Sequence, residues 1–458
     1  MMSVRVPLAP VPVRAVRCFS ASAGPRDDSV AEMPVFRRQQ PRSEGSNEHT
    51  YRPPTPPVGV PLTKILSNTF PLSYRDSFNQ WLGRAKLQQA QAGVLSLLPF
   101  YPHPDSHRRA SSLQVPVGGD NFINEFEISK LDGTCTEEVA ILHGYGAGLG
   151  FFYKMFDEVS ALDGVRLHAL DLLGYGLSSR PKFRVKSKEP LEAILETEDF
   201  FTDSLEAWRK QRGIESFTLI AHSLGAYLGA SYAIKYPGRL KKLMLVSPAG
   251  VPRSSYSLPS EAQLAEQAKK AEQAEKALKS ALRDNNGGKL SKIFNRQAQS
   301  AASRGNVPLW FHFLWECHVS PFSLVRNTGP LGPRFVSGWT SRRFARLPPE
   351  DQKALHLYSY AIFNARGSGE YALNYLLAPG AQGRRPLAER AHLIPCDTSW
   401  VYGTEDWMDE NGGHQACDNI RANTDHHCEL ITINGAGHHI YLDNPEDLNK
   451  AVKSFITR

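Results

Sequence analysis

One stretch constrains this chain more than any other: Ser216-Phe-Thr-Leu-Ile-Ala-His-Ser-Leu-Gly-Ala-Tyr-Leu-Gly-Ala-Ser-Tyr-Ala-Ile-Lys-Tyr-Pro237. Phe217 to Ala221 is a short apolar run, the pattern of a buried strand. Leu224 to Tyr236 is small and mostly apolar, which reads as a buried helix stopped by Pro237. Ser223 stands between them, with Ala221 and Gly225 two positions away on either side. This is a G-x-S-x-G elbow with Ala in place of the first Gly. So tight a turn rejects large side chains at both flanking positions, and Ala adds a single methyl group. The geometry lifts the serine hydroxyl above the strand end. The Leu224 N–H and the helix N-terminus lie beside it to receive an oxyanion. The pentapeptide alone recurs by chance; the strand before it and the helix after it give it weight.

A nucleophilic serine needs a base for its proton, and the base needs a carboxylate to fix its tautomer. Later in the chain Tyr402-Gly-Thr-Glu-Asp-Trp-Met-Asp409 follows the strand pattern Thr398–Tyr402. Gly435-Ala-Gly-His-His-Ile-Tyr-Leu-Asp443 follows the pattern Leu430–Ile433. Asp406 is taken as the acid and His438 as the base, with Glu405 or Asp409 and His439 as fallbacks. A lone His at a strand end is ordinarily structural, but serine, acid and histidine in this order and context point to a triad. His143-Gly144-Tyr145-Gly146 is a Gly-rich turn after an early strand, Glu138–Leu142. Its Tyr145 N–H is the expected partner of the Leu224 N–H in an oxyanion hole.

Around these motifs the chain alternates strands with helices, which predicts an α/β fold: a mostly parallel sheet flanked by helices. The first core strand is placed at Asn121–Ile128, and a helix at Glu198–Arg212. Periodicity is lost after Gly250 and resumes near Thr398. Residues 116–250 and 391–458 therefore read as two parts of one core, with a helical cap inserted at 251–390. Ser260 to Arg283, rich in Ala, Glu, Gln and Lys, reads as a polar exposed helix. Within the cap, Arg334, Arg342, Arg343 and Arg346 interleave with Phe335, Trp339 and Phe344. These arginines either face lipid phosphates or form an ordinary solvated surface.

Upstream, residues 61–115 are expected to be a helical segment. Phe70, Tyr74, Phe78, Trp81 and Leu82 recur at 3–4 spacing. Their apolar face either docks on the main domain or lies in a membrane interface. Residues 20–60, rich in Pro, Arg, Ser and Gln, read as a disordered linker. Arg5, Arg14, Arg17 and Arg26 precede the first acid, Asp27, with no long apolar run among them. That pattern is a mitochondrial transit peptide rather than a secretory signal, cleaved near Ser20 after residues 1–19. The alternative is a basic disordered tail. Losing the three arginines of residues 1–19 takes the formal net charge from +7 to +4, too small an excess to argue for nucleic acid. No run of 18 apolar residues occurs. The six cysteines form no paired framework, which fits a reducing compartment. His414-x2-Cys417 and His426-His427-Cys428 offer zinc-ligand types, but the spacing matches no strong pattern. No metal or other cofactor is expected.

Together His143-Gly-Tyr-Gly-Ala-Gly-Leu-Gly150, Asp171-Leu-Leu-Gly-Tyr-Gly-Leu-Ser-Ser-Arg-Pro181, the elbow, Tyr402-Gly-Thr-Glu-Asp-Trp-Met408 and His438-x4-Asp443 resemble one lipid-acting subfamily of α/β-hydrolases. It comprises the mitochondrial cardiolipin-specific deacylases, the N-acyl-phosphatidylethanolamine lysophospholipases and a lipid-droplet lipase co-activator. The resemblance runs from about residue 65 to the C-terminus, apart from an insertion near 255–303. It implies an α/β-hydrolase fold with an inserted helical cap. It also implies a serine phospholipase deacylating a membrane phospholipid, cardiolipin above all, in peripheral contact with the matrix side of the inner mitochondrial membrane. The co-activator branch has lost its nucleophile, whereas Ser223 is present here. The His438-x4-Asp443 box is similar to that of glycerolipid acyltransferases. With His438 committed to Ser223, Asp443 is read as a family signature, while acyl transfer to a lysolipid on the same triad stays open.

Overall fold

The computed structural model describes residues 69–83, 86–259 and 319–458, with residues 263, 269, 273 and 315 between them. The expected leader, the linker, the start of the 61–115 segment and most of the polar Ser260–Arg283 stretch lie outside the described residues.

Eight strands form one sheet: β1 (Arg108–Gly118), β2 (Asn121–Lys130), β3 (Glu137–Leu142), β4 (Val165–Leu170), β5 (Phe217–His222), β6 (Leu240–Val246), β7 (Asp397–Gly403) and β8 (Cys428–Ile433). In space they run β1-β2-β4-β3-β5-β6-β7-β8. β2 pairs antiparallel with both β1 and β4, and every other pairing is parallel. The central strands carry apolar runs such as Val139–Leu142 and Leu243–Val246 because helices cover both faces. Along β3, Val139 and Ile141 enter one core layer while Ala140 and Leu142 enter the other, the two-residue period of a strand.

One face is covered by α3 (Tyr153–Ser160) and α10 (Pro445–Thr457), the other by α4 (Pro190–Gln211) and α5 (Leu224–Lys235). α4 starts well before the expected Glu198. Pro190 supplies a helix-compatible φ at its first position, and Ala193, Ile194 and Thr197 extend its buried stripe. α9 (Glu410–Asn423) bridges β7 and β8. Three cap helices, α6 (Pro321–Asn327), α7 (Gly332–Arg343) and α8 (Pro349–Asn364), lie in chain order between β6 and β7. The chain rejoins the core before residue 391: the Leu387 and Ala388 N–H groups bond the carbonyls of Gly250 and Val251.

One expectation for the N-terminal part needs correction. Residues Arg108–Val115, assigned to the helical segment, belong to the edge strand β1. Their polar run, Arg-Arg-Ala-Ser-Ser, hides the alternation because an edge strand buries little of either face. A helix does occupy Tyr74–Leu82 (α1), followed by α2 (Leu87–Leu95). However, α1 docks through its polar side: the Ser77 hydroxyl donates to the Pro330 carbonyl at 2.6 Å and accepts the Arg334 N–H at 3.0 Å. Ser77 is its one buried residue, while Tyr74, Phe78, Trp81 and Leu82 remain exposed.

β2, β3 and β4 also carry a buried ionic network. His168 Nδ1 meets Glu125 at 2.6 Å and Nε2 meets Glu138 at 2.8 Å; Trp208 and Arg212 complete the shell of Glu125. Glu125, Glu127 and His168 stand close enough to share an ion, but both ring nitrogens of His168 already face carboxylates. Burial alone would lower the His168 pKa; hydrogen bonds and charge from Glu125 and Glu138 outweigh it and raise the value to about 9. In the unfolded chain histidine titrates near 6.5. The extra stability is therefore complete below about pH 6.5 and lost as pH rises through 9, amounting to roughly 3 kcal/mol at most. Urea unfolding of wild type and His168→Gln at pH 6.5 and 9.5 should show the difference between the two proteins shrinking. A difference that stays constant with pH means that His168 is not charged in the fold.

Candidate active site

The elbow places Ser223 at φ 54°, ψ −117°, a strained conformation for a residue with a side chain. Backbone bonds hold it there: its N–H donates to the Val246 carbonyl, and its own carbonyl accepts from Ala226, Tyr227 and Ala249. Glycine is required at 225, where a Cβ would stand 2.5 Å from the His143 carbonyl oxygen. Ala221 is fully buried, and α5 accommodates its methyl with Gly229, whose added Cβ would lie 3.4 Å from it.

His438 Nε2 lies 3.0 Å from the Ser223 Oγ, and His438 Nδ1 lies 3.2 Å from Asp406 Oδ1. Burial raises the Asp406 pKa, but hydrogen bonding and charge from His438, with help from Ser247 and the Met408 N–H, hold it below the usual range. The group is thus an ionised carboxylate facing an imidazole N–H. The loops carrying acid and base cross closely: the Glu405 N–H donates to the Ala436 carbonyl, and any Cβ on Gly403 would collide with that same carbonyl. Among the candidate acids, Glu405 turns to Arg346 at 3.2 Å, and Asp409 caps α9 through the Asn411 N–H. His439 turns to Arg343, whose Nε donates to its Nδ1 at 2.7 Å.

His222 supports the base from beneath, its Nε2 bonding the His438 carbonyl at 2.8 Å. Burial drives the pKa of both His222 and His439 well below the ordinary value, aided by the neighbouring His438 and Arg343 respectively. Both are therefore neutral, and neither repels a positive charge developing on His438. Trp407 is 60% exposed, with its ring 5.1 Å from that of His438.

The 143–146 turn passes directly over the nucleophile, since a Cβ on Gly144 would lie 2.8 Å from the Ser223 Cβ. It therefore lies against the elbow, where the Leu224 N–H, as the first of its helix, has no intrahelical acceptor. His143, fully buried, secures the turn: Leu172 N–H donates to its Nε2 at 3.0 Å, and its Nδ1 bonds the Gly144 carbonyl at 2.8 Å. Asp171 fastens the next segment by accepting from Leu149 N–H, Leu177 N–H and Asn124 Nδ2, each at 2.8 Å. The Asp171–Pro181 motif is thus a buckle beneath the turn. From Tyr145 an aromatic stack climbs into the cap: Tyr145 on Phe322 at 4.9 Å, then Phe322 on Phe363 at 4.7 Å.

All four cap arginines have partners within the protein; Arg334 is buried and Arg343 partly buried, while Arg342 and Arg346 stay exposed. Arg334 bonds the Leu72 carbonyl beneath Tyr74, and Arg342 reaches the Thr69 carbonyl at 3.4 Å. Arg343 forks onto Asp443, and Arg346 bonds the Gly435 carbonyl and Glu405. Asp443 also accepts the Gly437 N–H at 3.0 Å. Of the zinc-ligand types, Cys417 and Cys428 meet in the core with sulfurs 2.6 Å apart. His426 and His427 turn instead toward Asp397 and Glu429.

A family profile described as alpha/beta hydrolase fold matches residues 139–445. The chain belongs to the alpha/beta hydrolase family. Its elbow, acid and base fall on loops after β5, β7 and β8, the order that family uses. Among curated relatives, an Arabidopsis thaliana protein named 1-acylglycerol-3-phosphate O-acyltransferase is 33% identical over 337 residues, 72% of this chain and 68% of the relative. A human (lyso)-N-acylphosphatidylethanolamine lipase is 32% identical over 320 residues, 69% of this chain and 78% of the relative. Among solved structures, a Bacillus subtilis naproxen esterase aligns with a TM-score of 0.46 at 14% identity, covering 81% of this chain and 96% of its own. The curated relatives carry the names of lipid-acting enzymes, and this chain is a lipase-like alpha/beta hydrolase.

Proposed function

We propose that this chain is a serine phospholipase that removes a fatty acyl chain from a membrane phospholipid, with mitochondrial cardiolipin as its preferred substrate. The observation that carries the reading is the continuous relay from Ser223 through His438 to Asp406, at 3.0 and 3.2 Å. Ser223 Oγ attacks the ester carbonyl while His438 Nε2 takes its proton. The Tyr145 and Leu224 N–H groups hold the oxyanion. His438 then returns the proton to the departing lysolipid oxygen, and water repeats the sequence on the acyl-serine. Incubating purified protein with vesicles of single phospholipids and following free fatty acid tests it. Release from cardiolipin ahead of phosphatidylcholine or phosphatidylethanolamine is expected, and equal release from all three overturns the headgroup preference.

The name of the Arabidopsis relative favours a second reading, in which a lysolipid hydroxyl takes the acyl group in place of water. Labelled acyl donor with lysophospholipid separates the two: labelled diacyl product marks transfer, labelled fatty acid marks hydrolysis. The mitochondrial address rests on the arginine-rich, acid-free residues 1–19. Residues 1–45 fused to a fluorescent reporter should enter mitochondria, and a cytosolic reporter removes that address together with the case for cardiolipin.

No helix among the described residues is long and apolar enough to cross a membrane, so contact with a bilayer is proposed to be peripheral. α1 keeps Tyr74, Phe78, Trp81 and Leu82 exposed, and Leu331 and Phe335 of the adjoining cap are exposed as well. Burying one such aromatic in lipid contributes roughly 1.5–3 kcal/mol. Phe78→Ala with Trp81→Ala is expected to weaken sedimentation with anionic liposomes at least about tenfold. Because α1 docks through Ser77, hydrolysis of a short soluble ester should persist. Collapse of that hydrolysis would show that the two rings are needed for the fold.

A further inference from the structure

We propose that Arg343, at the end of cap helix α7, is a positioning residue for the base His438 and acts through Asp443. The proposal rests on the serine-hydrolase reading above and adds what the cap does in it. Arg343 Nη1 and Nη2 donate to the two Asp443 oxygens at 2.8 and 3.0 Å. The second of these oxygens also accepts the Gly437 N–H at 3.0 Å. Arg343 Nε donates to His439 Nδ1 at 2.7 Å. The residues immediately before and after His438 are therefore both held by one guanidinium–carboxylate pair. Arg346, just beyond the same helix, adds a bond to the Gly435 carbonyl at the foot of the loop.

Such a fork is geometrically exacting, because both carboxylate oxygens and three guanidinium N–H groups are satisfied only in one arrangement. Asp443 hydrogen-bonds neither Ser223 nor the His438 ring among the described contacts. The carboxylate of the His-x4-Asp box therefore supports the loop and carries no proton for the reaction. His439, which burial keeps neutral, is an acceptor that matches the Arg343 N–H. The cap thus reaches the base loop and, through Arg343, sets the register of the base. A displacement of His438 by about 1 Å costs on the order of 10²-fold in rate.

The test is a double-mutant cycle of Arg343→Met and Asp443→Asn, with Arg343→Lys as the conservative variant. It is read by kcat and KM on a short soluble ester, by the rate of fluorophosphonate labelling, and by melting temperature. Each single variant is expected to lose about 10- to 100-fold in kcat and in labelling rate, with KM within about threefold of wild type. The double variant should be no worse than the poorer single within about threefold, since each residue acts through the other. Arg343→Lys, which keeps the charge without the fork, should fall between wild type and Arg343→Met, and it reports on the coupling if Arg343→Met fails to fold. Losses that multiply, or an Asp443→Asn that is inactive beside an unaffected Arg343→Met, overturn the proposal. A wild type that neither labels nor hydrolyses the ester overturns the hydrolase reading and this inference with it. Intact coupling on the soluble ester with no phospholipid hydrolysis overturns only the substrate reading.

Discussion

Ser223→Ala and His438→Ala are each expected to lower ester hydrolysis by about 10⁴- to 10⁶-fold, and the double variant by no more than the worse single. Ser223 Oγ is the hydroxyl that faces His438 Nε2 at 3.0 Å. Without the hydroxyl no acyl-enzyme forms. Without the imidazole the hydroxyl keeps its proton. Neither deletion leaves the surviving partner a useful role, so the losses overlap instead of multiplying. A fluorophosphonate probe should label wild type and leave Ser223→Ala unlabelled; undiminished labelling of that variant sinks the assignment. His439→Ala should fall far less than His438→Ala, because its ring faces Arg343 and not the nucleophile. Equal losses at 438 and 439 would mean that the base is misplaced by one residue.

What the sequence disclosed follows from the range of the interactions involved. The elbow is a local object: strand, turn and helix lie within some twenty residues, and each demands its own residue types. The order of serine, acid and histidine is legible because each must follow a strand, and strands announce themselves through apolar runs. β1 did not, since a polar edge strand has no such run. For α1 the spacing left docking and a membrane face both open, and its aromatics sit at helical spacing without being buried. The helix is fixed instead by scattered contacts: Ser77 to Pro330 and Arg334, Gln80 to His356, and Tyr74 under the Arg334 guanidinium. The cap arginines show the same limit more sharply. Their interleaving with aromatics was visible, but their partners at Leu72, Thr69, Glu405 and Asp443 are tens to hundreds of residues away and follow no local period. Asp443 itself was singled out by a family motif, and only the structure shows which donors it accepts.

Asp406→Asn is expected to cost about 10⁴-fold in kcat while leaving the fold intact. The carboxylate accepts the His438 Nδ1–H and thereby leaves Nε2 free to take the serine proton. Asparagine is isosteric but can turn its NH₂ toward Nδ1, which moves the imidazole proton to Nε2 and faces the Ser223 hydroxyl with a donor. The same variant removes the negative charge that steadies the imidazolium at the moment of attack. Because the Asp406 pKa is held below the usual carboxylate range by its partners, the acid remains ionised through mildly acidic conditions. Activity should not fall with its protonation until the pH drops below that range. The flanking acids supply the controls. Glu405→Gln removes an exposed ion pair with Arg346, worth at most about 1 kcal/mol of stability. Asp409→Asn keeps an N-cap of nearly equal quality. Both should stay within a few-fold of wild type in kcat on a soluble ester. If Asp406→Asn retained its kcat while one of these two lost it, the acid of the relay would have to be reassigned to that residue.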